Sequence, residues 1–150
     1  MALPDRDKIE RACFDVFMGT DERNWDRVKS AFASQVLLDY SSMSGQPAVI
    51  MTPQQIVTAW QGMLPGFDYT HHQLGNVLVT IRGADAELFC YGTATHYIAD
   101  QPNGTVWTVV GTYYFHLVCH EETWQIDHMK FDFKYQDGNL ELPVLATERA

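Results

Sequence analysis

Two histidines in neighbouring stretches of strand-like sequence are the residues best suited to chemistry. Between Ala86 and Ala99, His96 shares its parity with small and apolar residues, which predicts that its side chain faces a covered surface. His72, in the preceding stretch, falls in phase with other residues of one predicted face, Leu74, Asn76 and Leu78. Imidazole titrates near neutral pH, so two histidines that converge on one cavity could transfer protons. The alternative is a pair of hydrogen-bonded core histidines.

Asp21 and Tyr40 are further candidates for that cavity. Asp21 lies between the first two predicted helices, where a buried carboxylate could hold a histidine in one tautomer and raise its basicity. It could equally cap a helix or belong to a loop. Tyr40 follows a short apolar stretch, and its hydroxyl could bind a substrate carbonyl or stay in water while the ring packs.

Other chemistries find no support in the sequence. The remaining histidines are predicted to be structural or exposed: His71, His116, His120 and His128. There is no glycine-rich phosphate-binding motif, no HExxH, no GxSxG and no Cys/His set with zinc spacing. We therefore expect neither a metal nor another cofactor.

The first third of the chain is predicted to be helical and to position these residues. Apolar residues recur at three- and four-residue spacing from Asp5 to Met18, and Gly19-Thr20 is expected to end this helix. A second short helix places Trp25, Val28 and Phe32 on one side. A third begins at Thr52-Pro53-Gln54-Gln55, with Thr as N-cap and Gln three residues later, and Pro65-Gly66 stops it.

The remainder is predicted to form strands. Val36 to Tyr40 is a brief strand, and the Ser/Gly/Pro-rich run from 41 to 47 a loop. Four long runs rich in Val, Thr, Tyr and Phe follow, separated by turn residues: Tyr69–Ile81, Ala86–Ala99, Val106–Cys119 and Trp124–Phe133. This order indicates an α+β fold, with three N-terminal helices packed on a strongly curved antiparallel sheet and a ligand pocket between them. The small residues Gly92 and Ala94 would leave room for a ligand beside His96.

Composition and charge narrow the class of protein. The 150 residues are 46% hydrophobic, enough for a core, and are expected to form a single domain over residues 1–150. Ten basic against 19 acidic residues give a net charge of −9, which disfavours nucleic acid and anionic membranes as partners. The start of the chain lacks the apolar core of a signal peptide. Three widely spaced cysteines, without a CxxC pair, suit reduced thiols and a cytoplasmic location.

Several short segments, in order and spacing, resemble the scytalone dehydratases and the wider SnoaL-like group. The segments are Asp21 to Val28, Leu38-Asp39-Tyr40, Thr70-His71-His72, Thr95-His96, and the late Trp124 strand followed by Phe131-Asp132-Phe133. The resemblance spans about residues 5–135 and implies the NTF2-like fold, a cone of helices on a curved sheet. That fold hosts many functions, so the site residues must carry any functional argument.

The resemblance assigns roles residue by residue. Asp21 matches a carboxylate that pairs with the catalytic histidine, His72 matches that histidine, and His96 matches a second active-site histidine. Tyr40 matches a tyrosine that activates the substrate carbonyl through a water. Thr20 stands where these dehydratases carry a tyrosine. This difference implies that the carbonyl-binding end of the site, and the shape of the substrate, differ from theirs. Thr112, with Tyr114 close by, is the nearest match to a polar pocket residue of the third long strand. The predicted substrate-binding residues are Thr20, Trp60, Asn76, Thr112, Tyr114, Phe131 and Phe133.

The activity implied is a cofactor-independent dehydratase that eliminates water from a hydroxylated cyclic ketone by Asp/His acid–base catalysis. One alternative is a related isomerase or dehydrochlorinase that uses the same dyad. The other is a non-catalytic small-molecule-binding module or a module like the β subunit of a ring-hydroxylating oxygenase. The resemblance also implies a homo-oligomer, a trimer rather than a dimer, formed through outer sheet faces. Two aromatic sets are candidates for that contact: Phe89, Tyr91 and Tyr97, or Trp107, Tyr113 and Phe115.

Overall fold

The computed structural model of the protein describes residues 3–150. Its elements are helix α1 (Asp5–Asp21), helix α2 (Trp25–Ser30), strand β1 (Phe32–Asp39), helix α3 (Ser41–Ser44), strand β2 (Val49–Met51), helix α4 (Pro53–Gln61), a 3₁₀ turn (Leu64–Gly66), strands β3 (Tyr69–Arg82), β4 (Asp85–Tyr97), β5 (Val106–His120) and β6 (Thr123–Gly138), and helix α5 (Leu142–Arg149). The α+β class is confirmed, as are the four long strands. No helix among the described residues is both long and apolar enough to cross a bilayer.

The six strands form one curved sheet in the order β2-β1-β6-β5-β4-β3. Strands β3 to β6 pair antiparallel as a meander, as the sequence predicted. The pair β1 and β6 is parallel, however, with Leu38 opposite Met129. The sheet predicted to be antiparallel thus contains one parallel pair among its described strands. A parallel pair requires a long connection between its strands, and the chain between β1 and β6, which contains helices α3 and α4 and four strands, supplies one.

Helix α1 continues past the expected break and ends at Asp21, so Gly19 and Thr20 are helical. Gly19 serves packing here, because a Cβ on it would lie 2.8 Å from Cγ2 of Val28 in α2. The Thr20 hydroxyl donates a hydrogen bond of 2.7 Å to the Val16 carbonyl within the helix. These contacts extend α1 by almost one turn and place the Asp21 carboxylate at its C-terminal end.

The helix count also differs from the expected three. Phe32 begins β1 instead of ending α2, and a short helix, α3, replaces the predicted loop after Tyr40. A further helix, α5, follows the sheet; Leu142 and Ala146 are its buried residues. The predicted start of α4 is confirmed, since Thr52 and Gln55 form a reciprocal capping box.

The concave face of the sheet carries the core. On β4 the even positions are buried, as alternation predicted, and they include Leu88, Cys90, Ala94 and His96. Gly92 and Gly111 face each other on β4 and β5. A Cβ on Gly92 would collide with the ring of Tyr113, and one on Gly111 with the ring of Phe131. The space at Gly92 is thus filled by a tyrosine of the protein, which corrects the expectation that it would hold a ligand.

Strand β3 changes phase in its middle. Asn76 has a φ of +52°, and the pairing register with β4 shifts between Gly75 and Leu78. Such a bulge moves every later side chain to the opposite face. Leu78 is consequently 67% exposed, although simple alternation placed it with His72.

Candidate active site

A cavity of about 260 Å³ opens between the sheet, the end of α1 and the segment from α3 to the 3₁₀ turn. Its wall is mostly aromatic and aliphatic, and its polar side chains are Thr20, Tyr40, His72, His96 and Tyr113. Among residues 3–150, no Asp, Glu, Lys or Arg side chain lines this cavity. Four of the polar side chains were predicted for the site, and a neutral organic ligand suits this wall.

His72 and Asp21 form a hydrogen-bonded pair at the edge of the cavity. Nδ1 of His72 lies 2.7 Å from Oδ1 of Asp21, and the backbone N–H of His72 donates to Oδ2 over 2.8 Å. The Thr70 hydroxyl donates to Oδ1 over 2.9 Å. Burial alone would raise the pKa of Asp21, but the hydrogen bonds and charge of His72, together with Thr70, offset this and hold the pKa below its ordinary value.

This arrangement fixes the tautomer of His72. An ionised carboxylate only accepts hydrogen bonds, so Nδ1 of His72 carries the proton. Nε2 is then the basic nitrogen, and it is the one available to a ligand, because His72 lines the cavity whereas Asp21 stands behind it. The imidazole stacks on Phe17 at 5.1 Å between ring centroids, which holds its plane. The pair therefore has the geometry of a general base oriented by a carboxylate.

His96 lies beside His72 but in a different electrostatic environment. The two ring centroids are 5.9 Å apart. Nδ1 of His96 donates a hydrogen bond of 3.0 Å to the backbone carbonyl of Trp107. Burial lowers the pKa of His96 to about 4, even though the Trp107 carbonyl and Asp21 act in the opposite direction. At neutral pH the ring is uncharged, and its Nε2 is a hydrogen-bond acceptor. Nε2 therefore has no proton to donate to a ligand at neutral pH.

Tyr40 and Tyr113 bring two phenol groups to the same cavity. Both rings pack on Phe131, at centroid distances of 5.7 and 4.8 Å. Burial raises the pKa of both hydroxyls, so the two phenols remain protonated and can donate hydrogen bonds. Tyr113 was not predicted as a site residue; with Trp107 and Phe115 it was predicted to form an outer-face contact. All three are buried on the inner face, because odd positions of β5 pair with the even, inward positions of β4.

The predicted substrate-binding residues divide into two groups. Thr20, Trp60 and Phe131 line the cavity. The other four do not: Thr112 and Tyr114 lie on the opposite face of β5, Asn76 lies in the β3 bulge, and Phe133 packs against the edge of the core. The parity of β5, anchored on Phe115 or Leu117 as core residues, is the signal that would have selected Tyr113 instead of its neighbours.

No group of three or more His, Cys, Asp or Glu side chains within residues 3–150 is arranged to hold a metal ion. The three cysteines are free thiols, and burial raises the pKa of Cys90 to about 12.

The chain is similar in fold to several solved structures. One is the Kfla4162 protein from Kribbella flavida, with 23% identity over 95% of this chain and 96% of that chain and a TM-score of 0.83. A candidate scytalone dehydratase from Novosphingobium aromaticivorans has 15% identity over 89% and 87%, with a TM-score of 0.75. The LinA-type3 hexachlorocyclohexane dehydrochlorinase from Novosphingobium barchaimii has 12% identity over 90% of each chain, with a TM-score of 0.75. At these identities the likeness shows the fold alone.

The comparison with curated protein sequences gives no significant match. At the level of families, a model of the SnoaL-like domain matches residues 1–130, which include Asp21, Tyr40, His72 and His96. That match covers most of the chain and agrees with the curved sheet, the helices on its concave face and the cavity between them. This chain belongs to the SnoaL-like domain family and has the NTF2-like fold.

Proposed function

We propose that this protein is a dehydratase that removes water from a neutral β-hydroxy cyclic ketone by proton transfer through His72. One observation carries the proposal: Nδ1 of His72 lies 2.7 Å from the Asp21 carboxylate while the ring lines an open, mostly apolar cavity. A side chain that must act as a base needs this combination of an orienting partner and access to ligand. Elimination is also the reaction named for two of the similar structures, the scytalone dehydratase and the dehydrochlorinase.

The reaction begins with proton removal from the carbon next to the ketone. Nε2 of His72 takes this proton, and the Asp21 carboxylate stabilises the imidazolium that forms. Tyr40, directly or through a water, and Tyr113 donate hydrogen bonds to the developing enolate oxygen, the kind of stabilisation that usually contributes most. Preformed donors in an apolar cavity suit this task, since they need little reorganisation.

The reaction ends with loss of the hydroxyl group. The enolate electrons form the carbon–carbon double bond as the carbon–oxygen bond breaks, and His72 returns its proton to the leaving oxygen, which departs as water. His96 accepts a hydrogen bond from the substrate at its uncharged Nε2 and so orients the hydroxyl group. His72 thus acts as base and then as acid, and it ends the cycle in its starting protonation state.

Two other functions compete with this one. A related isomerase or dehydrochlorinase would use the same Asp21–His72 pair; a halide leaving group would require no acid, and the cavity has no cation to bind the released anion. A non-catalytic binding module or oxygenase subunit would not require a histidine hydrogen-bonded to a carboxylate in its cavity. The neutral lining and the oriented histidine together favour the dehydratase.

The test is a dehydration assay on a small panel of cyclic β-hydroxy ketones. 3-Hydroxy-1-tetralone is a suitable member, because loss of water gives 1-naphthol, which absorbance detects. We expect turnover by the wild-type protein and a loss of about a hundredfold or more in Asp21→Asn, since general acid–base catalysis is typically worth ~10²–10⁴ in rate. Saturable ketone binding without turnover, unchanged in Asp21→Asn, would instead identify a binding module.

We also propose a cellular location and a class of ligand for this activity. We place this activity in the cytoplasm, because the three free thiols suit a reducing compartment. The proposed ligand is a small cyclic molecule, and the net charge of −9 continues to disfavour nucleic acid and anionic membranes.

A further inference from the structure

Arg23 occupies a backbone position where glycine is the usual residue. Helix α1 ends in a Schellman motif: the N–H of Asn24 donates to the Gly19 carbonyl over 2.8 Å, and the N–H of Arg23 donates to the Thr20 carbonyl over 3.1 Å. Arg23 is the left-handed residue of this motif, with a φ of +58°. A residue with a Cβ is disfavoured in that conformation, and here the side chain makes contacts that glycine could not make.

The guanidinium of Arg23 links three segments of the fold. Nη1 donates to the Thr70 hydroxyl over 3.1 Å and to the carbonyls of Thr20 and Asp21, each over 3.2 Å. Nη2 donates to the carbonyls of Leu64 and Phe67, each over 3.1 Å. One side chain thereby joins the end of α1, the 3₁₀ turn and the start of β3. These are the segments that present Asp21 and His72 to each other.

The contact with Thr70 determines the direction of that hydroxyl group. A guanidinium can only donate, so the Thr70 oxygen accepts from Arg23, and its single proton is directed to Oδ1 of Asp21, 2.9 Å away. Thr70 is buried, and it precedes His72 on the same face of β3. Asp21 therefore receives three donors, the Thr70 hydroxyl and the backbone and ring N–H groups of His72.

We propose that Thr70 and Arg23 are positioning residues that orient the Asp21 carboxylate and so hold His72 with its proton on Nδ1. Arg23 donates to the Thr70 hydroxyl, and Thr70 donates to the Asp21 carboxylate. The same carboxylate accepts the Nδ1 proton of His72. The catalytic consequence rests on the proposed function, whereas the tautomer of His72 is a property of the free protein. Thr70 and Arg23 do not line the cavity, so their effect on a reaction would pass through Asp21 and His72.

The experiment measures the tautomer of His72 by NMR of the ring nitrogens in ¹⁵N-histidine-labelled protein without ligand. Thr70→Val removes the hydroxyl at nearly constant volume, and Thr70→Ser restores it as the matched control. Arg23→Gly removes the guanidinium but retains a residue suited to the left-handed backbone, so helix α1 keeps its end. His72→Ala identifies the His72 signals.

We expect a single Nδ1-protonated tautomer in the wild type and in Thr70→Ser. Thr70→Val and Arg23→Gly should each show a second population protonated at Nε2, because the carboxylate is no longer held toward the ring. In turnover of 3-hydroxy-1-tetralone the same two variants should lose about ten- to a hundredfold in kcat, with KM changed less than about twofold.

Two results would overturn the inference. A wild-type tautomer in both Thr70→Val and Arg23→Gly would show that His72 needs neither residue. Equal effects of Thr70→Ser and Thr70→Val would show that the methyl group or chain shape matters instead of the hydroxyl. Failure of the proposed function gives a different signature, in which turnover is absent or insensitive to His72→Ala while the tautomer data still report on positioning.

Discussion

At the scale of single residues, the two cavity histidines show how environment divides roles between identical side chains. Asp21 binds Nδ1 of His72, and a backbone carbonyl binds Nδ1 of His96. In the neutral form of each ring the proton is therefore on Nδ1, but only His72 is hydrogen-bonded to an anion that can stabilise its charged form. His72 is suited to take up a proton, and His96 is suited to accept a hydrogen bond.

The neutral state of His96 should appear in the pH dependence of stability. Its pKa is about 4 in the folded protein and about 6.5 when unfolded, so the unfolded chain binds more protons between these values. The free energy of unfolding should therefore fall by about 3 kcal/mol as the pH is lowered from about 6.5 to about 4. Urea denaturation of wild type and His96→Gln across this range measures the difference. The variant should lose this part of the slope, and identical slopes would contradict the assignment.

The two phenols should share the stabilisation of the enolate. We expect Tyr40→Phe to reduce kcat by about tenfold, less than loss of His72, because Tyr113 or a water can still donate to the oxygen. The double variant Tyr40→Phe/Tyr113→Phe should lose on the order of a hundredfold or more, the typical cost of removing oxyanion donors. Steady-state kinetics of both single variants and the double variant decide the matter. A double variant with wild-type kcat would exclude the phenols from the reaction.

At the scale of secondary structure, the sequence predicts regular elements well and their irregularities poorly. Alternation on β4 placed His96 inside, and the capping residues of α4 marked its start, because both signals are local. The β3 bulge at Asn76 depends on pairing with β4, and simple alternation therefore misplaced Asn76. Thr112 and Tyr114 were assigned from the family resemblance; they lie on the face of β5 away from the cavity, whereas the alternation along β5 itself would have indicated Tyr113.

The paired glycines on β4 and β5 lead to a prediction about packing. Gly92→Ala would force a methyl group into the ring of Tyr113, and such overpacking typically costs about 1–3 kcal/mol. Gly75→Ala is the matched control, because a Cβ there would meet no atom within 4 Å. Urea denaturation of both variants should show a clear loss of stability for the first and little change for the second. Equal stabilities would contradict the close packing of Tyr113 against Gly92.

At the scale of the whole molecule, the outer sheet face is our proposed contact between copies of the chain. Leu78 is 67% exposed and Tyr91 48%, and Phe89 lies beside them. An apolar surface of this kind commonly marks an interaction site. We expect a homo-oligomer, a trimer rather than a dimer, by multi-angle light scattering at micromolar concentration, and Tyr91→Glu should dissociate it. A monomeric mass for the wild type would contradict this proposal.

The charge of the whole molecule and of its cavity leads us to expect a neutral ligand. The molecule carries a net charge of −9, and the cavity wall offers aromatic rings with a few polar groups but no cation. An anionic substrate would meet unfavourable charge on approach and no partner on arrival. We therefore expect a ligand recognised by shape and hydrogen bonding, in agreement with the flat hydroxy ketone proposed above.

The central claim is that His72, oriented by Asp21, transfers the proton in this cavity. The most direct measurement is the turnover of 3-hydroxy-1-tetralone to 1-naphthol by His72→Ala beside the wild type, with circular dichroism to establish that both are folded. We predict that the folded variant loses at least about a hundredfold in kcat, as expected for a group that acts as both base and acid. A folded His72→Ala protein with near-wild-type turnover would contradict the account.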